Sequence, residues 1–276
     1  MRIVRQFGYS LGVNPRQASV QEAFDRHSSV YDERFSRPIL GETIRNEVWQ
    51  IADVEFAGAR NLLDLGSGTG EDAIHYAQRG AHVTAVDLSP GMLNRSKAKA
   101  TALGLPANID CVVAEMTTYS APAAGFDGLI SNFGALNCIH DLSFLRRLCE
   151  TSLRPGSSLV LITMGYFYPL ETTLFLLKAD PRRAFRRLRG SCEVTIEGSR
   201  VPVYYHSVAA MRRMLGPAFQ LKQAVGLRAF LPVPGWEHLQ RLTSSAVLRG
   251  LDRAWCRFSP TATLADHFVS VWRFKP

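Results

Sequence analysis

The chain has no CxxC pair among its five cysteines, no apolar run long enough to cross a bilayer, and no linker dividing it in two. Each absence removes a class of protein. Cys111, Cys138, Cys149, Cys192 and Cys256 are odd in number and scattered. That spacing suits neither a disulfide framework nor a zinc cluster, so they are expected as buried apolar residues in a cytoplasmic protein. No His, Cys or Asp grouping has ligand spacing, and no metal is expected. The most apolar window, SLVLITMGYFYPLETTLFLLK, is interrupted by Gly165, Pro169 and Glu171 and is not expected to span a membrane. The start MRIVRQFGYSLGV has no apolar run before a small-residue cleavage site, so a secretory leader is not expected. Repeats of fixed period are also missing.

What remains is ordinary globular material, with 46% apolar and 20% charged residues in 276. One large domain can bury a core at this length. The net charge of +8 fits either anionic partners or a basic solvated surface.

From about residue 60 short apolar runs alternate with amphipathic segments. NLLDL, HVTAVDL, IDCVVAE, FDGLISNF and SLVLITM have the character of buried strands. EDAIHYAQRG, GMLNRSKAKATALG and DLSFLRRLCETSLRPG have that of the helices between them. Gly80, Gly104 and Gly156 are expected as left-handed caps after those helices. Ser89 and Pro90 supply a cap and a first-turn proline. Such alternation predicts an α/β fold, a parallel sheet covered on both faces, with ligands bound at the strand ends. Two helices, QASVQEAFDRHSSVYDERF and ILGETIRNEVWQIADVEF, precede it. Residues 166–205 interrupt the pattern. A helix at SVAAMRRML, a strand near FQLKQAVGL, a helix through HLQRLTSSAVLRGLDRAW and the strand DHFVSVWRF follow.

The glycines at 66, 68 and 70 allow a sharp bend and a close backbone approach to a ligand. Pyrophosphate would be held at the helix start behind them. That start instead carries Glu71 and Asp72, with Asp64 just ahead of the bend. Three carboxylates disfavour phosphate and favour a cofactor with positive charge, as S-adenosylmethionine has in its sulfonium and ammonium. Asp87, ending the next strand, is placed to accept hydrogen bonds from both hydroxyls of an adenosine ribose.

LLDLGSGTG followed by VTAVDLSPGML resembles the first two motifs of class I S-adenosylmethionine-dependent methyltransferases of the small-molecule type. CVVAEM and FDGLISNFGALNCI stand where that family keeps its third and fourth. AFDRHSSVYDERF is similar to the helix many members fold over the cofactor. The resemblance covers about residues 60–165. It implies a Rossmann-like, seven-stranded, mostly parallel sheet whose last strand is antiparallel, with a helical lid and insertion. The expected organisation is one domain over 1–276. It has a lid at 1–55, a cofactor core at about 56–165, a specificity insertion at 166–206 and a sheet completion at 207–276. The resemblance gives Asp64, Gly66 and Asn132 to the methionine end, and Ser67, Gly68 and Gly70 to the bend. Asp87 takes the ribose, Leu88, Met92 and Met116 pack on the adenine, and Glu115 faces its amino group, where the family usually has Asp. Tyr31 closes the site.

Methyl transfer from a sulfonium needs alignment more than a fixed triad, and a base only when the nucleophile must lose a proton. His140, beside Asp141, and His206, with Tyr204 or Tyr205 as a polar lid, are the candidates for that task, each against an ordinary structural role. Within the insertion, GYFYPLETTLFLL suggests an apolar pocket or packed lid. KADPRRAFRRLRG predicts a helix capped by Asp180, with Ala184, Phe185 and Leu188 flanked by Arg182, Arg183, Arg186, Arg187 and Arg189. A solvated face, an anionic or amphiphilic acceptor site, and RNA or membrane contact through residues 178–189 all remain open for it. SNFGALN lacks the NPPY-type pattern of adenine methylation, so DNA is not expected. The leading expectation is methyl transfer to a small natural-product or lipid-like acceptor. The alternatives are an RNA methyltransferase, an NAD-dependent oxidoreductase and a non-catalytic S-adenosylmethionine-binding protein.

Overall fold

A computed structural model describes residues 15–233, 236–258 and 261–276. The first fourteen residues of the expected lid lie outside it, as does the start examined for a leader.

Seven strands form one sheet in the order β3-β2-β1-β4-β5-β9-β8. β1 (Asn61–Leu65), β2 (His82–Asp87), β3 (Ile109–Val113), β4 (Phe126–Ser131) and β5 (Leu153–Met164) are mutually parallel. β9 (His267–Phe274) lies antiparallel between β5 and β8 (Phe219–Leu227). The strand order reverses between β1 and β4, which opens a crevice at their carboxyl ends.

Alternation along the strands builds two cores. Leu62, Val160 and Ile162 pack to one face with α2 (Ile39–Glu55), α3 (Glu71–Ala77) and α4 (Pro90–Ala102). Leu63, Leu159 and Leu161 pack to the other with α5 (Ser143–Ser152) and α8 (Val208–Leu215). Both faces of the central strands are therefore dry, which is why they read as continuous apolar runs. Ser89 caps α4 by accepting from the Met92 amide at 3.1 Å.

Three local expectations are corrected. Gly156 does not cap a helix. α5 has already ended at Ser152, and the glycine, at φ 84°, turns the chain within β5. The segment HLQRLTSSAVLRGLDRAW is not one helix, because Ser245 breaks it and caps α9 (Ala246–Arg257) at the Leu248 amide.

The basic segment is not one amphipathic helix either. After α6 (Pro169–Leu177), Asp180 caps α7 as expected, but α7 is only Pro181–Ala184, and a tighter turn over Arg186–Arg189 follows. The break carries the Arg187 side chain inward, away from solvent. The insertion then ends in a separate hairpin of β6 (Ser191–Ile196) and β7 (Ser199–Tyr204). Its turn uses Glu197 and Gly198 at φ 45° and 82°, the left-handed pair that a tight hairpin needs. α1 (Pro15–His27) lies between this hairpin and α4. No helix among the described residues is long and apolar enough to cross a membrane.

Candidate active site

The three glycines of the bend do different work. A Cβ on Gly66, at φ 70°, would stand 2.2 Å from the Ala135 Cβ, so this glycine lets two loops touch. One on Gly70 would meet Ser96 Oγ at 2.0 Å, so that glycine seats α3 on α4. Gly68, at φ 54°, has nothing within 4 Å of the position a Cβ would take. Its bare backbone faces a cavity, while its amide donates to Asp87 Oδ2 at 2.8 Å.

The acids behind the bend are not equivalent. Asp72 accepts from Trp49 Nε1 at 2.7 Å, from Arg45 Nη1 at 3.2 Å and from the Asn132 amide at 3.0 Å. Glu71 takes Lys99 Nζ at 2.6 Å. Both are matched by cations from α2 and α4. Asp64 is 1% exposed and neither of its oxygens has a well-formed hydrogen bond. Burial, then the charges of Asp72 and Asp87, raise its carboxyl well above the usual range, and Arg45 and the Ala73 amide offset only part of this. Burial also raises Asp87. The carboxyls without an ion-pair partner are thus Asp64 and Asp87, not the helix-starting pair.

A cavity of about 1000 Å³, counting the solvent-open space at its mouth, lies over the bend. Its wall brings together Tyr31, Gly66, Ser67, Gly68, Asp87, Leu88, Met92, Glu115, Met116 and Asn132. Asp64 and Gly70 stand behind that wall. Ser67 Oγ is buried without a partner. The bare Gly68 cradle, this orphaned hydroxyl and unpaired Asp64 fit a ligand with hydroxyls and a cationic end. Gln17, Val20, Phe24, Arg45, Phe133 and Cys138 also line it, and the sequence did not single them out.

α1 forms the roof. Asp25 Oδ1 accepts from Ser89 Oγ at 2.5 Å and from the Gly91 amide at 2.9 Å. Gln17 donates to Glu115. Tyr31 is pushed up to about 12 by burial, so its hydroxyl stays protonated.

A second cavity, enclosing about 1610 Å³ of solvent-open space, adjoins the first. Phe24, Tyr31, Arg45, Phe133, Gly134 and Cys138 belong to both walls. Phe35, Ile44, Met164, Val194, Val201 and Trp236 make its lining largely apolar.

Residues 62–156 match the family described as Methyltransferase domain. The tRNA 5-carboxymethoxyuridine methyltransferase of Escherichia coli strain K12 is 29% identical over 274 residues, covering 91% of this chain and 97% of that protein. The demethylmenaquinone methyltransferase of Clavibacter sepedonicus is 29% identical over 153 residues, 54% of this chain and 59% of its own length. The fold also matches the Burkholderia thailandensis 1,6-didemethyltoxoflavin-N1-methyltransferase, solved with S-adenosylhomocysteine. There the TM-score is 0.57 at 16% identity, covering 98% of this chain and 94% of that one. The chain carries a methyltransferase domain on the class I fold.

S-adenosylmethionine fits the site of this methyltransferase domain on those grounds. Of its candidate bases, neither histidine reaches a cavity. His140 is exposed, with its ring edge-on to Tyr204 at 5.0 Å. His206 is buried, but its Nε2 is committed to the Ile139 carbonyl at 3.0 Å. Tyr205 does line the second cavity, 3.2 Å from Cys192 Sγ. Two arginines of the insertion turn inward: Arg186 pairs with Glu171 at 2.8 Å, and Arg187 pairs with both Glu171 and Asp266, while Arg182, Arg183 and Arg189 stay exposed.

Proposed function

We propose that the enzyme methylates a small molecule with an apolar body, held in the second cavity while the cofactor fills the first. One observation carries this: the two cavities share a wall at Tyr31, Arg45 and Phe133, and the second is lined largely by aliphatic and aromatic side chains. Asp87 holds the ribose hydroxyls, Glu115 the adenine amino group, and Leu88, Met92 and Met116 the adenine faces. Asp64, Gly66, Ser67 and Asn132 bound the methionine end, Gly68 and Gly70 shape the bend, and Tyr31 closes it. Bound S-adenosylmethionine supplies the methyl group already attached to a good leaving group. The chain's residues align the acceptor and keep water out. The lid, core, insertion and sheet completion act as one domain, in the cytoplasm and without a metal.

A second reading, methylation of RNA, is favoured by the near full-length likeness to the Escherichia coli tRNA enzyme. The inward ion pairs of Arg186 and Arg187 speak against it, since they withdraw charge a phosphate backbone would use. Incubation with methyl-tritiated cofactor and, in parallel, a solvent extract of small metabolites and total tRNA separates the two. Label is expected in the extract. Label in tRNA alone would overturn the small-molecule reading.

A further inference from the structure

β9 opens with His267, whose ring forms part of the second cavity's wall. Its Nδ1 lies 2.6 Å from Asp266 Oδ2. The other oxygen of Asp266 accepts from Arg187 Nη2 at 2.6 Å. Arg187 is itself fixed, by Glu171 Oε2 at 2.8 Å and by the Asp266 carbonyl at 3.0 Å. The carboxylate therefore cannot turn away from the imidazole. Burial opposes its ionisation, but His267 and Arg187 more than offset this and hold it well below the usual range.

A carboxylate can only accept, so the neutral imidazole keeps its hydrogen on Nδ1 and its lone pair on Nε2. Nε2 makes no hydrogen bond among the described residues. The ring stands edge-on to Phe133, 6.1 Å between centroids, and Phe133 belongs to both cavities. The other neighbour of Phe133 is the Arg45 guanidinium, 4.5 Å from its centroid. The free lone pair thus stands one aromatic ring from the junction across which the methyl group must pass.

We propose that His267, oriented by Asp266, is the general base of methyl transfer, and that the acceptor carries an acidic hydroxyl, a phenol or enol. This rests on the small-molecule reading above. A carboxylate acceptor is already ionised at neutral pH and needs no base. The acceptor proton goes to Nε2, its oxygen pair forms the bond to the methyl carbon, and the carbon–sulfur pair stays on sulfur. The products are a methyl ether, S-adenosylhomocysteine and an imidazolium that returns its proton to water. The charged and titratable groups that line the same cavity as His267 are His27, Tyr31, Arg34, Arg45, Cys138, Glu171, Arg186, Arg187, Glu197, Tyr205 and Asp266.

The test is absorbance titration of 4-nitrophenol bound to the full chain in the presence of S-adenosylhomocysteine. The wild type is expected to bind it with a larger phenolate fraction at mildly acid pH than the free phenol has. His267→Gln should abolish that excess while its affinity for S-adenosylhomocysteine stays within about twofold, since the two cavities are distinct. Asp266→Asn should reduce it, because an amide no longer enforces the Nδ1–H tautomer. Equal ionisation in wild type and His267→Gln, or S-adenosylhomocysteine binding with no nitrophenol binding, overturns the proposal. Failure of the underlying reading looks different: no S-adenosylhomocysteine binding, or label entering tRNA alone.

Discussion

At the scale of single residues, Asp64 and Asp87 are the carboxyls of the site without an ion-pair partner. Asp87 keeps its carboxylate in place through the Gly68 and Ser89 amides at 2.8 and 2.9 Å, at the edge of the cofactor cavity. Asp87→Ala is expected to weaken S-adenosylhomocysteine at least tenfold by isothermal titration, the scale of one lost charge-assisted hydrogen bond, about 1.5–3 kcal/mol. Unchanged affinity would remove the ribose assignment. Asp64 stores a cost instead. Its raised pKa means that the folded chain holds a proton which the unfolded chain releases. Its contribution to stability is therefore full at low pH and is lost as pH rises through the folded value. Asp64→Asn should raise the melting temperature of the ligand-free protein at neutral pH, by about 2–4 °C per kcal/mol relieved. The same variant should bind S-adenosylhomocysteine more weakly. A lower melting temperature would show that Asp64 is not strained in the free protein.

Those two aspartates were legible in the sequence because their setting is local: strand, glycine bend, helix, next strand end. The partners that decide what the neighbouring acids do were not. Asp72 reads as a free helix-start carboxylate until Arg45 and Trp49 arrive from a helix more than twenty residues earlier. Nothing in ILGETIRNEVWQ marks those two residues as partners of a distant acid. The His267–Asp266 pair was hidden in the same way, because the arginine that fixes it is 79 positions away. His140 and His206 drew attention only because they adjoin the fourth motif and an aromatic run.

At the scale of elements, periodicity found the strands and most helices, and it failed where a tertiary contact outbid local preference. KADPRRAFRRLRG has a cap, a first-turn proline and an apolar stripe, yet it stops being helical where Arg187 turns in to Glu171 and Asp266. The β6–β7 hairpin alternates apolar and polar residues, but Pro202 within it argues against a strand. A two-stranded ribbon tolerates that proline because each strand is an edge. The Arg187 cluster ties α6, the insertion and the start of β9 together. Arg187→Met should destabilise the fold by about 3–5 kcal/mol in urea, since it takes the shared cation from two buried carboxylates and leaves Glu171 only Arg186 and Asp266 only His267. The loss should shrink only at strongly acid pH. Asp266, with its lowered pKa, contributes stability that is present above the ordinary carboxylate range and lost as pH falls through its folded value. A penalty under 1 kcal/mol would mean that the cluster is well solvated.

For the whole molecule, the charge of +8 resides outside the buried pairs, because Arg45, Arg186 and Arg187 are matched one for one by Asp72, Glu171 and Asp266 and cancel in the count. On the small-molecule reading, filter binding to total tRNA is expected to be weak and to lose little more affinity with salt than a few phosphate contacts would explain. A steep salt slope, of eight or more, would instead place a nucleic-acid track on the surface. Charge and length alone could not make this distinction, because they do not reveal which arginines face water.

The first helix and the turn after it are ceiling to both chambers at once: Phe24 and Tyr31 line each, and Asp25 clasps α4. A substitution that loosens this shared ceiling is therefore expected to disturb the grip on donor and acceptor together.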